Sequence, residues 1–260
     1  MQNKRYPNIG IRSKNELAKR ISSKNFSKAQ ALDLINDVIL NFNLYWKDNK
    51  KQSEPTKEKY VRSAKGTSLG ILLDIINKKI LAPYDKMLPH FIFGGLSNLN
   101  HVKAATHLLG HKRRRVVLKM DIQRFFEQIS WDRVYKLFLT RFGCSKKAAK
   151  LFADLCCVPM GPKGSKNARR TIARGFATSS RLAVWCNLDT FIRLDWLVKK
   201  RFKGKNARIA IYVDDIGITA IQSTEEEMLL FSFEAKTLLE NYDKNQSLPV
   251  NNNKTKATSH

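Results

Sequence analysis

Leu17, Ile21, Leu32, Ile35, Val38, Ile39 and Phe42 recur at helix-like intervals, so residues 14–46 are expected to be helical. The stretch 47–66 is charged and polar and reads as a loop or a finger strand. Residues 68–88 carry a helical period again, ending near Pro89. Val134, Leu137, Phe138 and Phe142 share one face of a helix over 131–142, and a second helix over 145–158 stops at Pro159. Residues 159–174 are Gly- and Lys-rich without a period, hence a loop. A long helix is expected over 179–198, and Thr224 with Glu227 offers a capping box that starts another running to about 242. Strand signals are few: Val116–Met120, Arg208–Ile211 and Ile216–Ile221. The order βααα–ββ–α predicts an α+β fold with an antiparallel sheet packed on helices.

Carboxylates sit at the ends of those strands. Tyr212-Val213-Asp214-Asp215 falls between two β-prone runs, at or near a hairpin turn. Adjacent carboxylates repel one another unless a cation lies between them. Oxygen-only ligands on a rigid hairpin suit Mg²⁺, although Asp is also an ordinary turn residue. Asp121 ends the apolar strand Val116–Met120, 93 residues before Asp214, and a buried charge there needs a partner. If that strand lies beside the hairpin, three carboxylates converge, as two-metal phosphoryl transfer requires. Otherwise Asp121 simply ends a strand or caps the next segment.

These residues resemble the reverse transcriptase family, and more closely its bacterial retron, group II intron-like and defence-associated branch. Lys119–Ile129, with Asp121 followed by Phe125-Phe126, resembles the first catalytic motif, and Tyr212–Asp215 the Tyr-x-Asp-Asp motif. Arg174–Ser180 resembles the Gly-containing second motif, Leu248–Thr255 the fourth, and Phe91–Asn100 with His107 a pre-catalytic finger segment. The resemblance covers roughly residues 60–258 and implies a right-hand polymerase. The N-terminal helical region and fingers would occupy 1–115. The palm would occupy 116–260, with a finger insert at about 143–175. Arg174, Ala177 and Ser180 depart from the family's second motif, which opens with Gln and carries Pro. The thumb expected after Thr255 is missing from the sequence, which points to a truncated chain or to a thumb supplied by a protein partner or another copy.

The resemblance also implies roles. Asp121 and Asp214 would bind two Mg²⁺ ions, with Mn²⁺ as the alternative. Ile122 would add a backbone contact, and Asp215 would complete the site. Backbone groups near Ile122 and Gln123 would touch the triphosphate. Phe126 stands at the sugar-gate position, where a flat ring would exclude a 2′-hydroxyl; the competing reading is a core aromatic. Gly175 would let the backbone approach the template base, Arg174 would lie beside the nucleotide, and Arg62 with Lys65 are the candidate nucleotide clamp. Tyr212 would brace the primer end. Lys254 would protonate the pyrophosphate leaving group.

Composition agrees with that picture. Lys and Arg number 48 against 22 acidic residues, a net charge of +26 with a pI near 10.1. Each cation set against a phosphate releases a counterion, so nucleic acid is the expected partner. The cations cluster at 57–65, 112–115, 163–170 and 199–205, blocks expected in loops that would line a phosphate-binding channel. Cys144, Cys156, Cys157 and Cys186 form no Cys-x-x-Cys pair, and Cys156-Cys157 read as core. His107 and His111 are one helical turn apart, a spacing seen in metal sites and more often in solvated pairs. No apolar run approaches membrane-spanning length and no signal peptide opens the chain. A cytoplasmic protein without a membrane partner is expected.

The function expected is RNA-directed DNA polymerisation. An RNA template, expected to be a dedicated non-coding RNA, would be copied from dNTPs into a DNA product, in antiphage defence. Two alternatives remain open: a template-independent or protein-primed polymerase of the same fold, and a catalytically inactive RNA-binding scaffold.

Overall fold

A computed structural model describes residues 5–110 and 114–259. In chain order its first elements are α1 (Lys14–Ile21), α2 (Lys28–Asn41), β1 (Lys47–Asp48), β2 (Arg62–Ser63), α3 (Ser68–Ile76) and α4 (His101–Leu109). Next come β3 (Val116–Asp121), α5 (Trp131–Lys136), α6 (Lys146–Cys156), β4 (Cys157–Pro159) and β5 (Arg170–Ile172). The last are α7 (Ser179–Arg201), β6 (Arg208–Tyr212), β7 (Asp215–Ala220), α8 (Glu225–Asn241) and β8 (Lys256–Ser259). The protein is α+β, and among the described residues each of these strand pairs is antiparallel. Two compact units form, Met1–Leu88 with Ile129–Cys186, and Pro89–Gln128 with Asn187–His260.

The first unit is mainly helical. The helix expected over 14–46 is two helices. Ser27 accepts from the Gln30 amide while the Gln30 side chain accepts from the Ser27 amide, and this reciprocal cap fixes a new start after α1. The helix expected over 68–88 ends at Ile76 and continues as a π turn and then a 3₁₀ turn holding Pro83, which has no amide hydrogen to donate. The stretch 159–174 is not all loop. β5 pairs with β4 in a short ladder from Cys157↔Ile172 to Pro159↔Arg170, too brief to show alternation in sequence. Aromatic packing holds this unit's core: Phe138 stacks on Phe152 at 4.2 Å, and Phe142 meets Trp185 edge-on at 5.6 Å.

Two arginines, each 4% exposed, brace that core. Arg62 bonds Asp48 and the carbonyls of Pro159 and Gly161, and lies 5.3 Å from the rings of both Trp46 and Tyr60. Arg181 grips both oxygens of Asp85, at 2.6 and 2.8 Å, and also bonds Asn77. A buried guanidinium is tolerated only when its donors are satisfied in this way.

The second unit is built on a four-stranded sheet in the order β6-β7-β3-β8. The register sets Met120 opposite Ile216, Leu118 opposite Ile218 and Val116 opposite Ala220. These residues and Ile209 and Ile211 form the buried face. Alternation turns Val117, Lys119 and Asp121, with Thr219, Gly217 and Asp215, to the other face. α4 covers part of that face: Thr219 Oγ1 donates to the Leu108 carbonyl, and a Cβ on Gly217 would meet Leu108 at 2.4 Å. α8 packs along β3 and β8, and Phe202 meets Phe231 edge-on at 5.0 Å. Thr224 caps α8 through the Glu227 amide, while the Glu227 carboxylate binds Lys205. Residues 89–110, grouped with the N-terminal region in the sequence reading, pack with this sheet.

Candidate active site

The hairpin β6–β7 turns through Val213 and Asp214 alone. Val213 has φ +61°, a left-handed conformation that a β-branched residue adopts only under constraint. Part of the constraint comes from the segment Phe91–Gly94. It runs parallel to β6, with Ile211 donating to the Phe91 carbonyl at 2.8 Å and Phe93 donating to the Ile211 carbonyl at 2.8 Å. Gly94 lies directly under the turn, where a Cβ would come 2.2 Å from the Val213 nitrogen.

Asp121 and Asp215 are register partners on β3 and β7, on the same sheet face. Opposed residues have Cβ atoms about 5 Å apart, near enough for carboxylates to share a cation. The Asp214 carbonyl accepts from the Ile122 amide at 2.9 Å, which ties the turn to the end of β3. Asp121 in turn accepts, through its carbonyl, from the Asn251 amide at 2.8 Å. That bond anchors the segment that carries Lys254. The Lys254 ammonium donates to Asp121 Oδ1 at 2.9 Å. This hydrogen bond raises the ammonium's pKa above its ordinary value; burial opposes it, and the fields of Asp121, Asp214 and Asp215 add to the rise. Lys119 lies 3.3 Å from Asp215 Oδ1.

Asp121, Asp215, Lys254 and the turn residue Asp214 therefore lie at one end of the sheet, as does Tyr212, the register partner of Asp215. Its ring packs edge-on to His101 at 6.3 Å. Lys119 had no role in the sequence reading. Its signal was the two-residue spacing to Asp121, which places both on one strand face. The donor set is all oxygen, suited to Mg²⁺ or Mn²⁺. Yet among the described residues no three metal-ligating side chains group around a common point. Asp121 and Asp215 are instead turned to lysines. The carboxylates fit divalent ions in donor type and adjacency, with the Lys254 ammonium now against Asp121 and the Lys119 ammonium against Asp215.

Other expectations need correction. The Ile122 and Gln123 amides donate within the fold, to Asp214 and to the Pro249 carbonyl at 2.7 Å, so neither amide serves a triphosphate. Phe126 is 7% exposed, on a 3₁₀ turn with its ring edge-on to Phe125 at 5.8 Å; the core reading describes most of its surface. Arg62 is a buried brace of the first unit rather than a clamp. Gly175 has a reason other than the one expected. At φ +98° a Cβ would lie 2.4 Å from the Arg62 carbonyl, and the Arg62 amide donates to the Arg174 carbonyl at 2.6 Å. Gly175 permits this close backbone crossing. Lys65 and Gly175 do share a cavity of about 340 Å³ in the first unit, lined also by Ser63, Gly70, Asp74 and Phe176.

The basic blocks are only partly outward-facing. Lys57 and Lys59 bind Glu54, Lys163 bonds the Trp46 carbonyl, and Arg170 binds Asp154. Arg115 is buried against Asn206 and Thr219. Lys112, Arg113 and His111 lie outside the described residues. Burial, followed by nearby His90 and Arg208, lowers the pKa of His107, whose ring packs on Phe93 at 5.3 Å. The four cysteines are buried free thiols; burial pushes Cys156 and Cys186 up to about 12. Among the described residues no helix is long and apolar enough to cross a membrane.

Asp214 in the hairpin turn, Asp215 at the start of β7 and Asp121 at the end of β3 are thus carried by neighbouring elements of one sheet. A family model described as Reverse transcriptase (RNA-dependent DNA polymerase) matches residues 55–260, and the chain belongs to that family. It is similar to the Retron Ec48 reverse transcriptase of Escherichia coli, 25% identical over 193 residues, which are 72% of this chain and 42% of that protein. The chain thus spans about two fifths of the length of the curated relative it matches.

Proposed function

We propose that this chain catalyses RNA-directed DNA synthesis, adding deoxynucleotides to a primer by two-metal phosphoryl transfer. The observation that carries the reading is the in-register pairing of Asp121 with Asp215, with Asp214 in the adjoining turn. Two Mg²⁺ ions, or Mn²⁺, would neutralise the triphosphate and lower the pKa of the primer 3′-hydroxyl. Asp121 and Asp214 would hold them, helped by the Ile122 carbonyl, while Asp215 would set the charge of the site. Lys254 would move from Asp121 to the pyrophosphate and give it a proton as it leaves. Tyr212 would support the primer terminus on the same sheet face. The narrow exposed edge of Phe126 would meet the sugar. Lys65, Arg174 and Gly175 stay candidate nucleotide contacts through the resemblance alone.

In this reading the sheet-bearing unit acts as the palm and the helical unit supplies fingers. A dedicated non-coding RNA as template, and service in antiphage defence, are the finer parts of the proposal. Both rest on the resemblance to the family's bacterial retron and defence-associated branch alone. The test is incorporation of labelled dNTPs by the purified chain with Mg²⁺ and its co-purifying RNA. Incorporation that RNase treatment abolishes supports templated synthesis; incorporation that survives complete RNA removal contradicts it. A Phe126→Ala variant should admit ribonucleotides, and unchanged sugar selectivity would return Phe126 to the core alone.

A further inference from the structure

The basic block at 199–205 differs from the others in facing outward together with an aromatic ring. In the second unit α7 buries Leu188, Phe191, Leu194 and Val198. At about 100° per residue those four define one side of the helix, and Arg193, Trp196 and Lys200 fall on the opposite side. Lys203, just past the helix end, continues the line. All four are exposed, Trp196 by 45%. A large indole left this open on a folded unit is unusual unless it has a use.

The ring organises the cations around it. The Arg193 guanidinium lies 4.0 Å from the Trp196 ring centroid and the Lys200 ammonium 5.1 Å from it. A guanidinium stacked on indole is held in one orientation, its planar fork of donors preset for a phosphate. Asp195 is engaged by Lys199, and Glu227 by Lys205 and Arg201. Asp189, one turn before Arg193, is half-buried. The three exposed cations outnumber it, so the field over the stripe is positive. From Arg193 to Lys203 it runs about 15 Å, the reach of several successive phosphates.

We propose that Arg193, Trp196, Lys200 and Lys203 form a docking surface for the phosphate backbone of a polynucleotide. It is separate from the carboxylate site, because it lies on the side of α7 opposite Phe191, whose ring packs at 6.3 Å on Phe125, four residues past Asp121. This surface would hold a strand outside the one being copied, and it needs none of the catalytic groups. Charge alone would suit an acidic protein partner as well. The spacing and the preset fork favour a regularly charged polymer.

The test is a binding titration, so it stands whether or not the chain polymerises. Fluorescence anisotropy with labelled single-stranded RNA and DNA of equal length would be read across a salt series. For Arg193→Ala/Lys200→Ala/Lys203→Ala the salt slope should fall by roughly 2–3, since each lost phosphate contact removes about 0.7–0.9. A charge-matched control, Lys24→Ala/Lys28→Ala/Lys50→Ala, should fall by less. The charge-preserving variants Arg193→Lys and Trp196→Leu should each weaken binding about threefold or more. Selective weakening of RNA binding would name RNA as the strand held there, and selective weakening of DNA binding would name the product. Equal losses in the stripe and control variants would reduce the stripe to bulk charge and overturn the proposal. So would unchanged polynucleotide binding in the stripe variant alongside lost binding to phosphatidylserine vesicles or to an acidic peptide.

Discussion

Cations meet carboxylates in both units, with opposite consequences. In the first unit Arg62 and Arg181 are almost wholly buried and each holds several partners at once. In the second, Lys254 is 61% and Lys119 52% exposed, and each is set against one site carboxylate. A planar fork in a dry interior is a brace, because removing it strands its partners. An ammonium on a flexible stem at the surface is a loose cap that another cation can displace. Basic charge is therefore structural where it is arginine and buried, and exchangeable where it is lysine and open. The catalytic candidates lie in the second setting.

Removing the brace should have the largest effect on stability. Arg62→Ala strands Asp48 and the Pro159 and Gly161 carbonyls and should cost about 3–5 kcal/mol in urea denaturation; a loss under 1 kcal/mol would erase the contrast. Gly175→Ala attacks the same crossing from the other side. Its left-handed conformation alone should cost roughly 1–2 kcal/mol, with the clash on the Arg62 carbonyl added. Lys254→Ala should change stability by less than about 1 kcal/mol, yet slow nucleotide incorporation about 10²-fold if the lysine acts as a proton donor. Smallest is an acid effect at the β1–β2 hairpin. Hydrogen bonds from Lys57 and then Lys59 hold the Glu54 carboxyl at about 2. Its folded pKa is depressed, so its contribution is present above 4.5 and is lost as pH falls toward 2. Glu54→Gln should flatten that part of the acid-melting curve.

The carboxylate-bearing strand ends were legible in sequence because strand alternation and paired acids are local signals. Asp121, Asp214 and Asp215 needed only their own neighbours to be read. What escaped depends on register and burial. Lys119 becomes a site residue only because β7 sets Asp215 opposite Asp121. Arg62 looked like a clamp because sequence shows its charge and not the rings of Trp46 and Tyr60 that enclose it. Gly175 looked like a nucleotide contact because the crossing strand that needs it lies 113 positions earlier in the chain, at Arg62. Helix 14–46 kept one hydrophobic period across a break that only the Ser27–Gln30 cap reveals.

The most direct test of the exchangeable site is Mn²⁺ binding to the protein without nucleic acid or nucleotide, followed by electron paramagnetic resonance. Wild-type protein should bind Mn²⁺, Asp121→Asn and Asp214→Ala/Asp215→Ala should lose that binding, and Lys254→Ala should bind several-fold more tightly because its ammonium no longer competes. Mn²⁺ binding that is indifferent to all three changes would contradict the assignment of these carboxylates as the cation site.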